Sequence, residues 1–182
     1  MKKLLSIALF ALCFSVNAQS NYNVYEVSNG HRNLTPSQTI TRTTNGGYKI
    51  YNNSSSGLPS ITPSQIIESN RNGGYNVYST NSIGLQNLTP YKTVSQNRHG
   101  GYDVYNNSSS GLPSLTPIQT ISSNNRGGYD VYNTNAGLPN ISPIETLSPN
   151  LFGAYDTFMN SSSGLPSLTP SATVRSILYD KF

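Results

Sequence analysis

The chain has 182 residues, of which 10% are charged and 35% hydrophobic, and it carries a formal net charge of +4. So small an excess excludes the basic footprint of a nucleic-acid binder and the polybasic patch of a membrane-surface protein. Two histidines and one cysteine leave little material for metal or thiol chemistry.

Residues 1–18 have the pattern of a signal peptide. Lys2 and Lys3 start it, residues 4–14 form its apolar middle, and Val16-Asn17-Ala18 supply small residues at a cleavage point before Gln19. The apolar run is too short to span a bilayer. Cys13 lies inside this segment, and Leu12 before it is not the small residue that a lipid-anchoring cysteine requires. Two of the 11 Lys/Arg belong to the leader, so nine remain against seven Asp/Glu and the processed chain is close to neutral. Export is therefore expected, to the periplasm, cell surface or medium, and the double-lysine start is bacterial in style. Ordinary domains are about 25% charged. Here Asn, Ser, Thr, Gly and Tyr fill that space, which suits neutral polar partners such as sugars or further copies of the chain.

Residues 19–182 read as one β-repeat domain written six times with a period of about 27 residues. The units begin near 21, 46, 73, 100, 127 and 153. A leading tyrosine recurs at Tyr22, Tyr48, Tyr75, Tyr102, Tyr129 and Tyr155, and a Thr/Ser-Pro proline at Pro36, Pro63, Pro90, Pro117, Pro143 and Pro170. From each of the first five prolines to the next leading tyrosine the count is always 12, whereas the stretch from the second aromatic to the following proline wavers between 11 and 12. A hairpin register cannot slip without turning every side chain over, but a surface connector loses a residue cheaply. The Pro-to-Tyr stretch is therefore a β-hairpin turned by Asn and Gly, such as Gly127-Gly128. The Ser/Asn-Gly-Leu-Pro stretch is the connector.

Alternation sorts the faces. Ile40, Ile67, Val94, Ile121, Leu147 and Val174 hold one first-strand position assigned to the core, joined by the leading tyrosines with Val24, Ile50, Val77, Val104 and Val131. The other face carries Tyr25, Tyr51, Tyr78, Tyr105 and Tyr132 in polar company. Leu58, Ile61, Leu112 and Leu115 are expected to tuck the connectors back over the core. One unit buries too little to order itself, so neighbours must share faces.

At the ends, Tyr22-Asn-Val-Tyr25 lacks a preceding Thr-Pro strand, and the last Thr-Pro strand leads into an altered turn at residues 176–181. Reading residues 171–182 as a C-terminal cap favours an open β-solenoid-like stack. The alternative is a closed ring in which the orphan first strand pairs with the orphan last one.

Little catalytic chemistry is visible. His31 and His99 occupy unrelated repeat positions, without the partner carboxylate that a histidine-assisted nucleophile needs. The Gly-Gly pairs precede strands, with no helix and no Gly-Lys-Ser/Thr to make a phosphate loop. Arg71, Arg98 and Arg126 read as solubilising turn residues. Asp103 and Asp130 occupy matched positions and read as a row of solvent-facing acids. No catalytic residue, metal site or cofactor is assigned. The binding candidates are Tyr51, Tyr78, Tyr105 and Tyr132, whose rings could stack on sugars, with Asp103 and Asp130 bonding hydroxyls; repetition would add avidity.

The plan resembles that of bacterial curlin-type matrix proteins, which are exported and built from short Gln/Asn-containing strand repeats. The resemblance is confined to that plan. These units are longer and rely on Tyr and Pro, and the Gln of Gln38, Gln65 and Gln119 becomes Lys92, Glu145 and Ala172 elsewhere. The expected function is that of an exported, non-enzymatic structural or adhesive protein of the cell surface or extracellular matrix, with self-assembly through strand edges available to it. The alternative is a multivalent lectin-like module for neutral polysaccharide. Neither a nucleic-acid partner nor a transmembrane segment is expected.

Overall fold

The computed structural model describes residues 21–151 and 155–177. The leader expected over residues 1–18 and the end of the expected cap, residues 178–182, lie outside them. The described residues form fourteen strands and no α-helix: β1 (Tyr22–Ser28), β2 (His31–Arg32), β3 (Gln38–Arg42), β4 (Tyr48–Asn52), β5 (Gln65–Ser69), β6 (Tyr75–Ser79), β7 (Lys92–Gln96), β8 (Tyr102–Asn106), β9 (Gln119–Ser123), β10 (Tyr129–Asn135), β11 (Leu138–Pro139), β12 (Glu145–Pro149), β13 (Tyr155–Met159) and β14 (Ala172–Ser176).

The expected hairpins are present. In β3–β4, Ile40 faces Ile50 at the centre of five paired positions, and β5–β6, β7–β8, β9–β10 and β12–β13 repeat the register. Asn70, Asn97 and Asn124 stabilise the turns. Each accepts hydrogen bonds on Oδ1 from backbone N–H groups two and four residues on, as in Asn97 with His99 and Gly101. The next residue but two, Gly73, Gly100 or Gly127, takes a positive φ of 73–77°.

The open stack is not what forms. β1 pairs with β14 through Tyr22↔Ser176, Val24↔Val174 and Glu26↔Ala172, the same five-position register as a hairpin but with no turn joining the two strands. Twelve strands thus close into an antiparallel barrel, with β2 and β11 as short additions outside the ring. The residues expected to begin a cap form a wall strand instead, and the Ile177 N–H bonds the Asn21 carbonyl across the seam at 2.9 Å. The physical reason is edge pairing: a barrel leaves no unpaired ladder, whereas an open stack leaves two.

Between hairpins the strands are staggered. Ile50 faces Ile40 within a hairpin, but Tyr48 faces Ile67 across the junction, where only three positions pair. The two-residue offset recurs around the ring and tilts the strands, as closure requires. A round ring of twelve strands is wider than side chains fill. Yet Val24, Ile40, Ile67, Val104, Ile121 and Leu147 are all at most 1% exposed. The walls therefore lean on one another and the bore is shut. Thr157 is the polar intruder in this tier, and its buried hydroxyl has no hydrogen-bond partner.

The second glycine of each pair has a separate role. A Cβ on Gly47, Gly74, Gly101 or Gly128 would lie 1.8–2.1 Å from the carbonyl oxygen of Ile67, Val94, Ile121 or Leu147 on the next hairpin. The junctions close only because nothing stands there.

The connectors do not fold back over the core. Each continues its strand past the barrel end as a small secondary hairpin: Asn53 bridges Pro59, the Ser54 N–H bonds the Leu58 carbonyl at 2.8 Å, and Gly57 turns with φ 81°. Gly57 seats on Thr35 and Pro36 of the preceding connector, Gly84 on Thr62 and Pro63, and so on around the ring. Leu58, Ile61, Leu112 and Leu115 consequently point into solvent, at 68–102% exposure. A proline contributes to this: Pro63, just ahead of β5, has no N–H to give the wall ladder, so the aliphatic before it is carried off the wall.

Candidate binding surface

Strand alternation gives the barrel three inward tiers and one outward belt. At the turn end, Tyr22, Tyr48 and Tyr75 are buried, and Tyr102, Tyr129 and Tyr155 partly so, closing the bore like a lid. Burial, then the neighbouring Tyr75 and Tyr22, pushes the Tyr48 phenol above its ordinary value, and Arg42 pulls it back in part. At the connector end the inward tier is polar but for one alanine. Gln38, Gln65, Lys92, Gln119, Glu145 and Ala172 occupy the equivalent first-strand position, with Gln38 Nε2 donating to Asn52 Oδ1 at 3.2 Å.

Lys92 is 7% exposed there, and desolvation lowers its amine below the ordinary 10.5. The folded state therefore releases this proton more readily than the unfolded chain, and folding carries a penalty that fades as pH rises toward 10.5. Replacing Lys92 by Gln, the residue three other units use, is expected to stabilise the chain by about 1 kcal/mol at neutral pH. The gain should shrink as denaturation is repeated at increasing pH up to 10.5. A pH-independent gain would mean that the charge was not the cause.

The outward belt holds the residues expected to bind. Tyr51, Tyr78, Tyr105 and Tyr132 are half-buried on the outer face, opposite Thr39, Ile66, Thr93 and Thr120. They fall on every second strand, so about 9.5 Å separates neighbouring rows. Asp103 and Asp130 each share a face with the tyrosine two residues on. Desolvation, then the nearby carboxylate, pushes the Tyr105 and Tyr132 phenols up.

These acids are not merely solvent-facing. Asp103 Oδ1 accepts from Thr120 Oγ1 at 2.8 Å and Asn97 Nδ2 at 3.4 Å, and Asp130 Oδ1 from Thr146 Oγ1 at 2.8 Å and Asn124 Nδ2 at 3.2 Å. They lace each hairpin to the next, as Asn23 does through Thr39 and Asn76 through Thr93. The structure thus brings Asp103 to Tyr105 and Asp130 to Tyr132, while Lys49 and Asn76 take that place beside Tyr51 and Tyr78. Tyr25 is removed from the belt, being 6% exposed beneath the Arg32 guanidinium at 4.2 Å.

The sequence reading missed a second surface. Leu34, Ile61, Leu88, Leu115, Ile141 and Leu168, each just before the Thr/Ser-Pro step, are 94–102% exposed at the connector end. Their sequence signal is a lone aliphatic between Ser/Asn and Thr/Ser-Pro, with no alternating partner to share a buried face.

Among the described residues no group of three or more His, Cys, Asp or Glu gathers to hold a metal, and no helix is long and apolar enough to cross a membrane. The chain matches no known family model and no curated protein sequence.

Proposed function

We propose that this is an exported, non-enzymatic repeat protein with a structural or adhesive role at the cell surface or in the extracellular matrix. The observation that supports it is the presentation of one polar, charge-poor surface unit six times around a closed, packed ring. A weak contact repeated on a rigid frame gains avidity without any single strong site. The frame itself is well suited to such display, because its walls are laced by side-chain ladders.

Assembly through strand edges, one route to such a role, lacks its substrate here, because β1 and β14 consume both edges of the barrel ladder. Adhesion through the outer belt does not need them. The test is retention of the processed chain on matrix and on neutral polysaccharide. Changing Tyr51, Tyr78, Tyr105 and Tyr132 together to Ser is expected to reduce retention at least about tenfold, the loss of four repeated contacts. Undiminished retention would remove the belt from the account.

A second reading, the lectin-like module, draws on one specific feature: aromatic rings on alternate strands with Asn or Asp alongside. A soluble neutral oligosaccharide that competes with retention would favour it over general adhesion.

A further inference from the structure

The six fully exposed aliphatics form a crown at one end of the barrel. Behind them stands a second tier, Leu58 and its repeats Leu85, Leu112, Leu138 and Leu165, at 61–73% exposure. Single exposed leucines are ordinary, but a ring of them on one end is the kind of apolar patch that marks a contact surface.

The crown is also stripped of charge. Residues 53–64, 80–91, 107–118, 133–144 and 160–171 contain no Asp, Glu, Lys, Arg or His. Only the first connector is charged, and there Arg32 is folded over Tyr25. The exposed cations Arg71, Arg98 and Arg126 lie in the hairpin turns, at the opposite end. The molecule is polarised end to end.

We infer that the crown docks against the crown of a second copy, forming a two-fold dimer of barrels. In a two-fold contact the same patch meets itself, residue i of one copy against residue j of the other, so a face dominated by charge of one sign repels its copy. A face with five of its six connectors free of charge escapes that repulsion, whereas an anionic membrane surface would be drawn to the arginine end instead. The area suffices. Each aliphatic side chain removes on the order of 100 Å² from water when buried, and eleven of them exceed the roughly 800 Å² per partner of a standard interface. The exposed aliphatics, the knobs of the crown, are pre-set as well, since each connector glycine seats on the Thr/Ser-Pro step of its neighbour and little freedom remains to be lost. This inference does not rest on the belt and uses none of its residues.

The test is the mass of the processed chain by sedimentation across a dilution series, alongside the double variant Ile61→Lys, Leu115→Lys. Both side chains lie wholly in solvent, so the variant should melt with the parent. The expected result is a parent dimer at micromolar concentration and a variant dimer weakened at least about a hundredfold. A parent that stays monomeric at about 100 μM overturns the inference. So does a dimer indifferent to the two lysines, which would use another face. Co-sedimentation of a monomeric parent with neutral phosphatidylcholine vesicles, lost in the variant, would also overturn it by assigning the crown to lipid.

Discussion

Gly101→Ala is expected to destabilise the barrel by more than about 3 kcal/mol, a class of effect reserved for forced backbone displacement in a packed site. The adjacent Gly100→Ala should cost only about 1 kcal/mol, the strain of an L-residue in the left-handed region. Either substitution adds the same methyl group one residue apart. At Gly100 the added carbon meets nothing within 4 Å, and only the φ of +77° opposes it. At Gly101 it lies 2.0 Å from the Ile121 carbonyl oxygen and 3.2 Å from the Ser122 Cα, all backbone of β9. No rotamer relieves that contact. The junction β8–β9 must open, and it is a seam of only three paired positions. Thermal denaturation would read the contrast as a fall of about 10 °C against one of a few degrees. Equal shifts would show that the pair serves the turn alone. Gly47, Gly74 and Gly128 should behave as Gly101 does.

Deleting residues 21–28 is expected to abolish cooperative unfolding and to drive the chain into aggregates. Among the described residues, β1 is the strand that joins β14 on one side to β3 on the other. Without it the ring has two long unpaired edges, and the aliphatic tier around Ile40 and Val174 faces water. Light scattering and the loss of a sigmoidal melt would register the change. A permuted chain supplies the control. Here Ser176 is joined to Tyr22 by Asn-Asn-Arg-Gly-Gly, and new ends are opened in the turn between β9 and β10. Because β1 and β14 already hold the hairpin register, this variant should fold and melt within about 5 °C of the parent. A shortened chain that melts like the parent would refute the closure.

Local geometry was well marked in the sequence. The invariant spacing from proline to tyrosine gave the hairpin register, and two-residue alternation placed Ile40, Ile67, Val94 and the leading tyrosines inward. The closure was legible only as the alternative to an open stack, since the repeat is cut mid-unit. Tyr22 to Tyr25 and Thr169 to Val174 each look like half of something missing, and an altered turn reads as a cap when its partner strand lies at the far end of the chain. The second glycine looked like turn material because its constraint comes from Ile121, twenty residues on. The knobs were misread for a different reason. Aliphatic character argues for burial, but it carries no direction, and the proline that excludes Ile61 from the wall also leaves it nothing to lean on. Asp103 and Asp130 were placed on the correct face, while their bonds to Thr120 and Thr146 depended on a junction stagger that spacing alone does not supply.

The seam between β1 and β14 also sets the order of events in the life of the chain. Five hairpins can form as their residues appear, but the sixth has to wait for the C-terminal strand to meet the N-terminal one. Until then no wall is sealed and the arc stays loose. The arc is thereby kept from locking early, and pairing of β14 with β1 acts as the latch.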